Sequence, residues 1–237
     1  MTRPQSTWLD KVVFLGTGTS SQVPAIHCVT GSGSGCLTCG DAMRPGSRNR
    51  RGCTSAVAVG SDPRSGQRSC ILIDCGKTFY QSALAWFPKY GLERIDAVLL
   101  THAHADAILG LDDLRSWTMG GIIQDHVDVY LTQECFATVQ STFPYLVNRQ
   151  LATGGGDVGA LRWHIISSTE RFHVGPYAVP VDPLRVEHGY AGPESRPFEC
   201  LGFRIDTLSY VSDCVRRLLT STAFRRRRRP RCLAAPH

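Results

Sequence analysis

The 237-residue chain has no apolar run approaching the ~18 residues that span a membrane as a helix, and its N-terminal apolar patch, residues 12–15, is far short of a signal-peptide core. An intracellular, cytoplasmic protein with no membrane partner is therefore expected. Cysteine is too dilute for a small disulfide scaffold: ten residues in 237, some in contexts such as Cys36-Leu-Thr-Cys39 that metal sites favour, fit a reducing compartment. No repeat of solenoid or propeller period is found. Acidic residues are missing from residues 215–237, which hold eight arginines, so the net charge of +6 is a local property. Residues 1–214 carry 18 basic against 20 acidic side chains, a net of −2, and that near-neutral body is not a basic nucleic-acid platform.

What is present suits one globular domain: 42% of residues are hydrophobic, enough for a sizeable core. Short β-rich runs alternate with helix-like segments and Gly-rich turns, which predicts an α/β (or α+β) layered domain. Strands are expected at residues 11–15, 54–59, 69–74, 95–100, 127–131, 161–166, 172–181, 184–186 and 198–205, with 60–68 as a hairpin loop. Helices are expected at 78–87, stopped by Pro88, at 106–117 and at 133–142, and a loop at 153–159. The run 95–100 is nearly all apolar, as in a strand buried on both faces.

That strand ends at Thr101-His102-Ala103-His104-Ala105-Asp106. Two imidazoles at i and i+2 in an extended turn point to one side, and Asp106 follows where a helix should begin. Neutral imidazoles with a carboxylate are what Zn²⁺ or a similar borderline metal prefers, and three such ligands leave room for a water whose pKa the metal lowers toward ~7. His and Asp ligands do not separate Zn²⁺ from Mn²⁺ or Fe²⁺. The alternative, polar loop residues with no metal, leaves several polar groups at a strand end in need of partners.

The pattern resembles the metallo-β-lactamase fold, whose signature is His-x-His-x-Asp-His after a buried strand. The resemblance spans most of residues 11–214 and implies an αββα sandwich. Ser69-Cys-Ile-Leu-Ile-Asp-Cys-Gly76 is similar to the family strand that ends in an aspartate, which implies that Asp74 holds the metal loop from behind. Val186-Glu-His-Gly189 resembles the strand that delivers the third histidine, His188, and Ser209-Tyr-Val-Ser-Asp213 the one whose aspartate bridges two metals. The opening Phe14-Leu-Gly-Thr-Gly-Thr-Ser-Ser21, Val23-Pro24 and Asn49-Arg-Arg-Gly-Cys-Thr-Ser55 resemble a narrower branch. It contains phosphoribosyl cyclic phosphate phosphodiesterases, with ribonuclease Z-like proteins as relatives. The implied activity is metal-dependent hydrolysis of a small cyclic or nucleotide-like phosphodiester by a metal-activated hydroxide.

Two departures bear on activity. Ala107 stands where the signature has a histidine, and no counterpart of the family's C-terminal histidine is found, so His102, His104, His188 and Asp213 are left to hold one metal. Asp106 is then a weak ligand of a second site or the general base that orients the attacking water. Asp112 and Asp113 are assigned structural or substrate-side roles, because on a helix starting at Asp106 the second of them lies ~10 Å further along the axis. A protein that keeps the fold but not the catalysis is the competing reading. Cys28, Cys36 and Cys39 suit three thiolates of a structural zinc, as in the phosphodiesterases of that branch. His27 or Cys53 could complete that site, and three free thiols on a loop are the alternative.

Residues 215–237 are expected as a basic, disordered tail, a divergent or truncated end that lacks the family's last strands and helix. The alternative is a genuine basic arm, in which Arg225 to Arg229 bind nucleic acid or act as a nuclear address. His237 is not assigned as a ligand. Missing strands would leave apolar sheet surface exposed, so weaker stability or a homodimer is expected.

Overall fold

The computed structural model describes residues 8–30, 35–153, 158–191, 196–217 and 231–234. Its strands are β1 (Leu9–Gly16), β2 (Ser55–Ser61), β3 (Arg68–Ile73), β4 (Ala97–Leu99), β5 (Val127–Leu131), β6 (Leu161–Ile165), β7 (Phe172–Val174), β8 (Val179–Ala191), β9 (Arg196–Ile205), β10 (Leu208–Val211), β11 (Arg216–Arg217) and β12 (Arg231–Ala234). The helices are α1 (Ile26–Val29), α2 (Leu37–Ala42), α3 (Phe79–Tyr90), α4 (Ala105–Ile108), α5 (Arg115–Thr118), α6 (Gln133–Thr142) and α7 (Pro144–Val147). Among the described residues no helix is long and apolar enough to cross a membrane.

The strands form two sheets. The first runs β1-β2-β3-β4-β5-β6, antiparallel through β3 and parallel from β3 to β6; the second runs β11-β8-β9-β10-β12, with β7 also paired to β8. Alternation along β3 shows why it is apolar from Cys70 to Ile73. Cys70 and Leu72 enter the core shared with α3, α4 and α6, while Ile71 and Ile73 enter the core between the sheets. Val98 and Leu100 on one side, and Ala97 and Leu99 on the other, repeat the division at β4. Phe79, Ala83 and Phe87 of α3 and Cys135 and Val139 of α6 cover the helical face, and Val181, Leu201, Phe203 and Ile205 of the second sheet cover the other. Layers of helices, sheet and sheet result, as expected for this sandwich.

Four local expectations are corrected. The helix from Phe79 does not stop at Pro88 but runs to Tyr90. Pro88 removes one N–H bond in the last turn, and the chain leaves through Gly91 at φ 61°, with Leu92 N–H donating to the Phe87 carbonyl at 2.9 Å. The helix expected over 106–117 is broken into α4, a 3₁₀ turn (Leu111–Leu114) and α5, because the Gly110 N–H turns away to the Cys75 carbonyl at 2.8 Å. Asp113 therefore does not lie ~10 Å along one straight helix from Asp106. The strand expected over 172–181 is a hairpin, β7 and β8, turned by Gly175 at φ 67° and Ala178 at φ 49°. Residues 184–186 are the middle of the 13-residue β8 rather than a separate strand.

Of residues 215–237, β11 pairs antiparallel with β8 (Arg216 opposite Glu187), and β12 pairs parallel with β10 (Cys232 opposite Ser209). Arg225 to Arg229 and His237 lie outside the described residues, as does part of the loop expected at 153–159.

Candidate metal centre

Because β3, β4 and β5 are parallel, their C-terminal ends emerge on one edge of the sheet, where α/β proteins build their sites. Asp74 follows β3, Thr101 and His102 follow β4, and Thr132 follows β5. The turn after β3 touches the start of α4 backbone to backbone: Cys75 N–H donates to the Ala107 carbonyl at 2.8 Å, and a side chain at Gly76 would overlap the Asp106 carbonyl. The second sheet supplies His188 from within β8 and Asp213 two residues after β10.

These elements bring His102, His104, His188 and Asp213 together, one ligand atom of each lying within 4.8 Å of every other. The three imidazole centroids are 4.6 to 5.5 Å apart, and Asp213 Oδ2 lies 3.4 Å from His102 Nε2 and 3.5 Å from His188 Nε2. His102 Nε2 is buried and has no hydrogen-bond partner. Asp106 falls outside this set of four but lines, with His104, His188 and Asp213, an open cavity of ≈ 530 Å³ that Thr19, Ser20 and Cys214 also border. Ala107 is fully buried and contributes no ligand atom.

Behind the centre lies a buried relay. Asp74, at φ 61° and 2% exposed, accepts the Thr101 N–H at 2.9 Å, and the Thr101 hydroxyl lies 2.9 and 3.0 Å from its two oxygens. The same hydroxyl sits 2.8 Å from His102 Nδ1. A hydroxyl has one proton. When Asp74 is ionised Thr101 donates to it and accepts the His102 Nδ1–H, so Nε2 keeps its lone pair for a cation. Burial pushes Asp74 up to about 8, helped by the negative charges of Asp213 and Asp106, so its ionised form needs positive charge nearby. Burial, then the neighbouring His104 and His188, pushes His102 down to about 3, which keeps its imidazole neutral. An orphaned buried nitrogen, a neutral His₃ set and one carboxylate fit a borderline divalent metal.

The second expected group also assembles. The sulfurs of Cys28 in α1, Cys36 at the start of α2 and Cys39 in α2 lie within 4.8 Å of one another, and Cys39 Sγ accepts the Ala25 N–H at 3.4 Å. Desolvation and the adjacent Cys39 and Cys36 thiols push Cys28 up to about 11, while hydrogen bonds from Cys39 lower Cys36. Among the described residues neither His27 nor Cys53 joins them; Cys53 is buried, its N–H bonded to Thr78 Oγ1 at 2.9 Å.

The model of the beta-lactamase superfamily domain matches residues 69–235, well over half of the chain and inclusive of every residue of the His/Asp centre. The chain belongs to the beta-lactamase superfamily. Among structures of that fold it resembles, at TM-score 0.64 and 25% identity, a diphosphatase from the PhnP family, over 88% of this chain and 67% of that one. An octanoyltransferase of Porphyromonas gingivalis (strain ATCC BAA-308 / W83) is 30% identical over 205 residues, 86% of this chain but 34% of that protein. The chain thus spans about a third of the length of that curated relative. The role of Thr101 in this superfamily site was missed in the sequence: it is one polar residue at the end of an apolar run, and only its contacts reveal it.

Proposed function

We propose that the chain is a metal-dependent hydrolase of phosphodiesters, with His102, His104, His188 and Asp213 as the side chains that would hold one divalent cation, Zn²⁺ first. The observation that carries the reading is the convergence of those four ligand atoms, with the orphaned Nε2 of the buried His102 among them and His104, His188 and Asp213 lining an open cavity. Such an ion, when bound, supplies Lewis acidity toward a phosphoryl oxygen and lowers the pKa of a water toward ~7. No Lys or Arg is among the described residues lining the cavity. Thr19 and Ser20 offer hydroxyl donors to the phosphoryl oxygens, and Asp106, close to the ligands but not one of the four, takes the proton of the attacking water on its carboxylate. The resemblance to a PhnP-family diphosphatase supports phosphorus–oxygen chemistry over lactam chemistry. The cysteine group is proposed as a second, structural zinc site.

Metal content per chain, paired with hydrolysis of a chromogenic phosphodiester, tests this in the wild type and in His102→Ala. Loss of about one ion together with the activity is expected. Equal metal in both proteins and no hydrolysis in either defeats the reading, and leaves a folded relative without catalysis, as Ala107 would favour.

A further inference from the structure

The strand β9 contributes no ligand, yet it touches three of the segments that do. Leu201 N–H donates to the Thr101 carbonyl at 2.9 Å, beside His102. The Cys200 thiol donates to the Asp213 carbonyl at 2.9 Å. Val186 and Glu187, which precede His188 on β8, stand opposite Cys200 and Glu199. Two residues before Cys200, the ring of Phe198 lies flat on His104, centroids 4.8 Å apart and planes 10° from parallel. It meets His102 and His188 edge-on, at 6.3 Å and 76° and at 6.1 Å and 64°. One phenyl ring thus contacts all three imidazoles.

The imidazoles differ in how they are held. His102 is oriented at Nδ1 by the Thr101 hydroxyl, 2.8 Å away. The His104 ring is met by the edges of His102 and His188 and the face of Phe198, with the Asp213 carboxylate within 4.8 Å on its ligating side. Rotation about χ2 of histidine is soft, so a ring without an outer partner samples orientations in which its ligating nitrogen is misdirected. A parallel stack removes that freedom. Phe198 also lines, with His102, a second cavity of ≈ 390 Å³ whose walls include Thr132 and Thr138 but not His104, His188 or Asp213.

From this geometry we infer that Phe198 is the positioning residue of the metal centre: its ring face holds the His104 imidazole in the ligating orientation, as the Thr101 hydroxyl does for His102. The inference rests on the metal-centre reading proposed above. It is distinct from a ligand role, since phenylalanine has no donor atom, and distinct from a core role, since the ring is only partly buried.

The test is Zn²⁺ affinity by chelator competition in the wild type, Phe198→Leu, Phe198→Met and Phe198→Tyr, with His102→Ala as the baseline for zinc held elsewhere. Leu and Met keep apolar bulk without a flat face, and two ringless variants guard against one that packs badly. Both should weaken the His102-dependent zinc by about 10- to 100-fold, the range for lost orienting partners. Tyr, which keeps the face, should stay within about threefold, as expected if the stack rather than side-chain bulk is what counts. A further readout needs no metal: NMR signals of the His104 ring protons should lose their ring-current shift in Leu and Met and keep it in Tyr. Ringless variants that bind zinc like the wild type, or a Tyr variant that loses as much as Leu, overturn the inference and leave the metal centre standing. A wild type that binds no more zinc than His102→Ala overturns both.

Discussion

His102, His104 and Asp213 follow strands, and His188 lies within one, in two packed sheets, whereas Cys28 and Cys39 sit in helices of four and six residues and Cys36 just before the second. Behind the first group lie Asp74, 2% exposed, the buried residues 69–73 of β3 and the fully buried β4. Near the second, α1 buries no residue, and Ile26 and Leu37 are 72% and 89% exposed. Helices this short have no stability of their own. The difference is one of sequence in time and energy: folding of the core is expected to assemble the His/Asp centre before a cation arrives, while ion binding at the cysteines is expected to supply the ordering of α1 and α2 itself.

Thr101→Val is the harshest challenge to that contrast. It keeps the volume but leaves the Asp74 carboxyl and the His102 Nδ1 short of a partner in the core. A loss of about 2–3 kcal/mol in urea unfolding of the metal-free protein is expected, the range for unsatisfied buried groups, together with zinc affinity weakened about 10- to 100-fold. Cys36→Ser in the same metal-free protein should stay within about 0.5 kcal/mol of the wild type. Equal costs at the two sites would erase the distinction between a braced centre and an unbraced one.

A smaller effect sharpens it by pH. Asp74, pushed up to about 8 by burial, draws the Thr101 proton most strongly once ionised, which favours the His102 tautomer that leaves Nε2 free. A proton therefore competes with the cation at every pH below about 8, and zinc affinity at the His/Asp centre should rise by up to about tenfold per unit until that point and level off above it. That window ends higher than an ordinary imidazole would set it, near 6.5. Chelator competition at pH 6.5, 7.5 and 8.5 measures it, and Asp74→Asn, which has no proton to lose, should flatten the upper part of the curve. A wild-type curve already flat above pH 7 would mean that Asp74 is ionised without the cation.

Much of this was legible in the chain, for reasons that differ by residue. His102, His104 and Asp106 follow a strand whose apolar run announced itself, and Cys36 and Cys39 carry their spacing with them. Strands with both faces buried, such as β4 and β3 from Cys70 on, could be placed because no polar residue interrupts those runs. Asp74 and His188 were legible through resemblance more than through pattern, since one acid or one histidine at a strand end says little. Gly110 broke a helix that periodicity joined, because the competing bond is to Cys75, 35 positions away in sequence. Phe198 and Cys200 read as ordinary strand residues; their contacts with His104 and Asp213 are made across the fold, and local pattern holds no trace of them.

The mildest prediction concerns the cysteine group, and it is the one that bears most directly on what an ion does there. Removing zinc from Cys28, Cys36 and Cys39 with a thiol-competitive chelator should change the global unfolding free energy by no more than about 1 kcal/mol, since neither helix carries much of the core. Amide exchange within residues 26–42 should nevertheless speed up sharply, and Cys39→Ser, which removes the buried sulfur that accepts the Ala25 N–H, should show the fast exchange even with zinc present. The His/Asp centre supplies the control, because chelation there should leave exchange at β3 and β4 slow. If zinc removal at the cysteines instead lowered the global stability by 3 kcal/mol or more, α1 and α2 would have to be coupled to the sandwich through contacts stronger than the bonds linking Val23 to Arg51 and Ala25 to Cys39, and the two sites would belong to one cooperative unit.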